Sequence, residues 1–243
     1  MYSLVRCKDK IIGKFNQDPI LIIEKPQLDL VEIQASFMFV PYDQYFSKGS
    51  RYRTTSRVEI GSDGKYKLLD KIPLYQPNYV NNIESYGGIQ RDYDDVPLSF
   101  INSHSFDIMI KEWIKNIPFK VKTFSIHQIR TTDEGNPTPE GAHKDGTDWT
   151  GVFIVNRHNI KDDSGSSVYW DNDKNLLLNE TLEVGSLITH NDQFFIHCAS
   201  PIKKLMKNEP SYRDVIVLTV PEHGVNYQEK DVRKEKLYAN VSK

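Results

Sequence analysis

From residue 119 to 222 the chain is a succession of short β-rich segments, and this limits its possible folds more than any other feature. Candidate strands fall at 120–130, 142–156, 166–171, 181–189, 193–198 and 212–220. Polar loops containing Gly and Pro, such as 133–141, join them. Strands of this length and spacing suit a sandwich or barrel of antiparallel strands. The first half is more mixed. Residues 20–23 read as a strand, 28–39 as helix or strand with no periodicity to decide, and 51–60 with 66–69 as a hairpin turned by Gly61–Gly64. The clearest helix lies near 103–117. Ser103 or Ser105 can cap it, Phe106, Met109, Ile110, Trp113, Ile114 and Ile117 form one apolar stripe, and Pro118 ends it.

The expected organisation is one domain over 1–243: N-terminal strands and packing helices (1–118), a β core (119–222) and a charged tail (223–243). With 38% hydrophobic and 26% charged residues, a chain of 243 can bury a sizeable core. A net charge of -2 gives no electrostatic reason to expect nucleic acid or an anionic membrane. The first residues lack a signal-like apolar run, and no window approaches a membrane helix. The two cysteines, Cys7 and Cys198, make no disulfide framework and are expected to be free thiols. A soluble cytoplasmic protein is the expectation.

One set of residues carries chemistry. Alternate strand residues point the same way, so His143-Lys-Asp145 can present an imidazole and a carboxylate together. His197 can add a second imidazole from a distant strand, which completes the two-histidine, one-carboxylate set of a mononuclear iron site. The stretch between Asp145 and His197 has room for about four short strands. Arg213 opens the strand YRDVIVLTV and suits bidentate capture of a carboxylate. Val215, Val217 and Thr219 share its face. A rival order, His190-Asn-Asp192 with His223 and Arg233, leaves little room for strands, and Arg233 lies in the charged tail. In this reading His190 and Asp192 belong to the turn before the His197 strand. A β-sandwich of unrelated purpose remains the alternative on these residues alone.

Further candidates surround that set. Gln128 and Arg130 share a face of the strand through 120–130 and point towards a cavity mouth, which leaves His127 on the other face in a structural role. Trp149 continues the parity of His143 and Asp145 and can wall a pocket. Arg57, Tyr86 and Arg91 can reach in from the N-terminal half to read a carboxylate. His104, His158 and His223 are expected at the surface, and Cys198 faces away from the ligands.

The segments HQIR (127–130), NPTPEGAHKDG (136–146), RHNI (157–160) and YRDVIVLTV (212–220) resemble the bacterial 2-oxoglutarate/Fe(II)-dependent dioxygenase family that includes L-isoleucine hydroxylase. SRVEI (56–60) and YGGIQRDY (86–93) add weaker matches, so the resemblance spans about 35–222. It implies a mainly β, double-stranded β-helix (jelly-roll, cupin-like) core with flanking helices. It implies Fe(II), 2-oxoglutarate and O₂ as requirements, succinate and CO₂ as products, and a free amino acid as the small-molecule substrate. Under it the metal ligands and catalytic residues are His143, Asp145 and His197. The keto acid falls to Arg213, with Thr219 and Gln128 beside it, and the substrate to Arg130, Trp149, Arg91, Tyr86 and Arg57. Asp145 fills the position that related halogenases give up to chloride, so hydroxylation is the expected outcome. A peptide, a carrier-bound residue, another metabolite, or a metal-binding sensor without turnover are the competing readings.

Overall fold

The computed structural model describes residues 2–7, 10–46, 50–78, 81–84 and 86–223. The chain opens on a meander, β1 (Tyr2–Cys7), β2 (Lys10–Phe15) and β3 (Asp18–Glu24), followed by a short helix α1 (Leu30–Ala35). Asp29 resolves the ambiguity over 28–39: its carboxylate accepts from the Val31 N–H and caps a helix. The hairpin comes next, β4 (Arg51–Ile60) against β5 (Tyr66–Leu68), then the short pair β6 (Leu74–Tyr75) and β7 (Gln90–Arg91). Helices α2 (Leu98–Ile101) and α3 (His104–Ile114) close the first half. Ser103 is the cap of α3, accepting from the Phe106 N–H.

The second half supplies β8 (Thr123–Thr132), β9 (Trp149–His158), β10 (Ser167–Trp170), β11 (Leu176–Glu180), β12 (Leu187–Asn191), β13 (Ile196–Ala199) and β14 (Tyr212–Val220). These strands form two facing sheets. The large one runs β1-β2-β3-β12-β9-β14-β8-β4-β5, and the small one β11-β10-β13. Every pairing is antiparallel. The fold is mainly β, a jelly roll whose large sheet recruits strands from both halves of the chain.

Both faces of the large sheet are covered. On the outer face, Phe106, Met109, Ile110 and Trp113 of α3 pack with Phe124, Ile126, Phe153, Ile216 and Leu218, all fully buried. Gly151 in β9 is where the helix comes closest, since a Cβ there would meet the Trp113 ring at 2.7 Å. On the inner face, Ile129, Ile154, Ile188 and Val215 face Tyr169, Leu178 and Phe195. Among the described residues, no helix is long and apolar enough to cross a membrane.

Candidate active site

The inner face opens into a cavity of about 890 Å³ including its mouth. The ladder places its lining in register. Arg51, Thr131 and Arg213 pair across β4, β8 and β14. Arg53, Ile129 and Val215 form the next row, and Thr55, His127, Val217 and Val152 the one after. Paired residues share a face, so these side chains belong to one wall.

The opposing wall carries the histidine–carboxylate group. Residues 142–148 are not a strand. His143 makes an isolated bridge to His197, with N–H to O distances of 3.0 and 2.8 Å, so the two residues stand side by side. Their rings lie 4.8 Å apart between centroids. Asp145 sits between them, Oδ1 3.6 Å from His143 Nε2 and Oδ2 3.5 Å from His197 Nε2. Lys144 turns the other way and donates to Asn172 Oδ1 and the Gln193 carbonyl, both at 2.7 Å.

The donor chemistry fits a divalent cation. His143 Nδ1 lies 2.9 Å from the Gly141 carbonyl oxygen, which can only accept, so Nδ1 keeps its proton and Nε2 is the nitrogen that a metal ion would engage in place of a proton. Ligands on adjacent corners of a metal with bonds near 2.1 Å lie roughly 3 Å apart, close to the spacing found. Charge agrees. Burial disfavours a His143 imidazolium, yet Glu140 and Asp145 outweigh it and raise His143 to about 10. Burial also raises Asp145, but His143 and His197 outweigh it and hold the carboxyl well below its ordinary value. This pocket draws positive charge.

Asp192 lies in the turn before β13 as expected, but His190 corrects the reading that placed it there too. His190 is a fully buried β12 residue, paired with Thr150, and its ring lies 4.8 Å from that of His197. Donor atoms of Asp145, His190, Asp192 and His197 all fall within 4.8 Å of one another. Asp192 is already engaged, however: Oδ1 accepts from the Asp145 N–H at 3.0 Å, and Oδ2 from those of Gly146 and Thr147 at 2.7 and 3.1 Å. It clamps the turn that aims Asp145. Arg233 lies outside the described residues.

Across the cavity Arg213 is 4% exposed, and Val215 and Val217 line the wall beside it as expected. Burial and the neighbouring Arg157 lower its pKa to about 10. Thr219 continues the same face but lies past the cavity, fully buried against Ser125 and Thr150.

Several expectations about facing are overturned. Gln128 points outward, accepting from Thr54 and donating to Ser36 Oγ at 2.6 Å. Arg130 is outward too, bound through Nε and Nη2 to Asp214 at 2.7 and 2.8 Å. Instead His127 lines the cavity, together with Ile129 and Thr131. Trp149 packs in the helix-side core, because the irregular 142–148 stretch breaks its parity with Asp145. Arg57 pairs with Glu222 at 3.3 Å, away from the cavity. Tyr86 does line it, and Arg91 lies behind, stacked on the Tyr86 ring at 3.9 Å. Cys198 and His223 also line it, against expectation. Cys198 is a free thiol.

Sequence reasoning missed Arg51, Arg53, Glu140 and Tyr169, which line the cavity as well. The i, i+2 spacing of Arg51 and Arg53 in the predicted hairpin was the available signal.

No curated protein sequence matches. Among solved structures, a bsmA homolog from Methylobium petroleophilum PM1 superposes with a TM-score of 0.65 at 22% identity, covering 81% of this chain and 84% of that one. IDO from Bacillus thuringiensis gives 0.62 at 16% identity, covering 78% and 84%. The Fe(II)/α-ketoglutarate-dependent dioxygenase TqaL gives 0.54 at 13%, covering 79% and 75%. These likenesses establish the shared fold. Residues 34–219 match the 2OG-Fe dioxygenase profile, and the chain therefore belongs to the 2OG-Fe dioxygenase family.

Proposed function

We propose that the protein hydroxylates a free L-amino acid or close analogue, with His143, Asp145 and His197 holding Fe(II) and Arg213 taking the far carboxylate of 2-oxoglutarate. Family membership makes it an oxygenase that needs Fe(II) and 2-oxoglutarate. The observation that carries the assignment is that one cavity holds the two imidazoles flanking a carboxylate and, on its other wall, the buried Arg213.

His143 is preferred to His190 as the second imidazole for a physical reason. His143 has its other nitrogen committed to a carbonyl, whereas His190 offers Nδ1 to the Tyr169 hydroxyl at 3.3 Å and has Nε2 turned to the engaged Asp192, 4.0 Å away. Bound iron with the keto acid supplies O₂ activation, and succinate and CO₂ leave. The chain's residues fix the ligand geometry, exclude water and place one C–H bond. The cavity suits a small zwitterion: it is lined by guanidiniums and also by Glu140, whose Oε2 is buried with no hydrogen-bond partner among the described residues.

The test is a screen of the common amino acids and their imino and basic analogues with Fe(II) and 2-oxoglutarate, read by succinate formation and by mass. Gain of one oxygen on a free amino acid is the expected result. Coupled turnover with none of them overturns the substrate half of the reading and moves it to peptides or carrier-bound residues.

A further inference from the structure

The keto acid of the proposed function calls for one cation, Arg213, yet other buried guanidiniums gather on the far side of β8. Arg51 and Arg53 are each 6% exposed and line the cavity; Arg91, fully buried, stands behind Tyr86. Their neighbouring carboxylate is Asp43, fully buried, with Oδ2 4.0 Å from Arg51 Nε. That oxygen already accepts from the Tyr86 and Tyr93 hydroxyls at 3.0 and 3.2 Å, and Oδ1 from the Tyr45 N–H at 3.1 Å. Among the described residues neither Arg53 nor Arg91 has a carboxylate within ion-pair distance. Desolvated cations in excess of their counter-charges are costly unless an anion joins them. This corner is short of negative charge.

The corner is also rigid. Arg53 donates through Nη1 to the Tyr86 hydroxyl at 3.3 Å and through Nη2 to His127 Nδ1 at 3.2 Å. A guanidinium nitrogen can only donate, so Nδ1 of His127 accepts and the ring carries its proton on Nε2. Thr55 Oγ1 lies 2.5 Å from the same Nδ1. Burial and the charge of Arg53 keep that ring neutral, with a pKa well below the ordinary histidine value. Arg51 is tied at Nη1 to the Pro137 carbonyl at 3.3 Å.

We propose that Arg51 and Arg53, steadied by His127 and Tyr86, form a carboxylate-binding subsite for the substrate, separate from the Arg213 anchor. It rests on the oxygenase reading above for its assignment of Arg213. Thr131 of β8 stands between Arg51 and Arg213 in one row. Two strand spacings, about 10 Å, therefore separate the two Cα atoms. The ligand class is a small molecule bearing at least one carboxylate, placed on the other side of β8 from the keto acid.

The experiment uses the full chain loaded with Zn(II), a redox-silent stand-in for iron, and saturated with 2-oxoglutarate. Acetate is the probe and acetamide its neutral counterpart. Both are followed by the arginine Nε–Hε resonances, assigned with Arg51→Lys and Arg53→Lys. Acetate is expected to move the Arg51 and Arg53 signals while acetamide leaves them. Arg51→Met should weaken acetate by roughly tenfold or more and leave 2-oxoglutarate affinity within about twofold. Silence of both signals towards acetate overturns the subsite, as does release of the bound 2-oxoglutarate by acetate. The wild-type titration decides the matter even if Arg51→Met does not fold. Acetate binding with no response to any free L-amino acid upholds the subsite and rejects the amino-acid reading. Amino-acid turnover with acetate silent does the reverse.

Discussion

The two walls of the cavity treat the same side chain in opposite ways. On the wall of residues 143–147 and β13, carboxylates raise His143 to about 10 against the pull of burial. On the wall of β4, β8 and β14, burial and Arg53 push His127 well below its ordinary value. The imidazole is the same, so the difference lies in the surroundings: one wall is prepared for a cation, the other for anions. A metal and anionic ligands can then lie side by side without either wall needing rearrangement.

This division can be broken most decisively at His143. His143→Ala is expected to abolish succinate-coupled oxidation and to remove iron from the purified protein, measured by metal analysis; full activity in this variant would reject the division. Arg213→Ala probes the other wall. Loss of a buried charged contact of about 2 kcal/mol or more should weaken 2-oxoglutarate by roughly 30-fold or more, with metal content retained. Asp192→Ala tests whether the clamp on the Asp145 turn matters. Calorimetric titration should find metal affinity lower by roughly 10–100-fold, as for other residues that orient ligands.

The imidazoles also set a pH signature for the metal-free protein. His127 and His190 are both lowered, so as pH falls below about 6.5 the unfolded chain takes up protons that the folded one refuses, and stability falls. His143 is raised, so its contribution is complete below about 6.5 and is lost as pH rises towards about 10. Denaturant midpoints should therefore peak near neutrality and lose the alkaline decline once metal occupies the site. The smallest effect on activity is expected from Arg130→Met. It leaves Asp214 buried without its bidentate partner, which costs roughly 2–4 kcal/mol and lowers Tm by several degrees, while both ligand KM values hold.

The proximity of His143, Asp145 and His197 was legible because a two-histidine, one-carboxylate set fixes residue type and spacing together: the three were chosen from the sequence and lie side by side in the structure. The strand carrying Arg213 was also legible, as was the α3 helix with its Ser103 cap. The inner and outer faces of β8 were not. Between Phe124 and Ile129 every residue is buried, because helices cover one face and the cavity the other. Alternation of polar and apolar residues, the signal that assigns a face, is erased there. Gln128 and Arg130 were therefore sent inward and His127 outward. Trp149 failed for a different reason: parity counts only within a strand, and 142–148 is not one.

The placement of β4 has one more consequence. Arg51 and Arg53 come from the hairpin of the N-terminal half, while His143, Asp145, His197 and Arg213 all lie beyond residue 140. On the proposed assignments, the residues that would recognise the substrate and those that would hold the iron and keto acid lie in different stretches of the chain. Under that proposal, exchange of the β4 segment between relatives would change the substrate wall while keeping His143, Asp145, His197 and Arg213 in place.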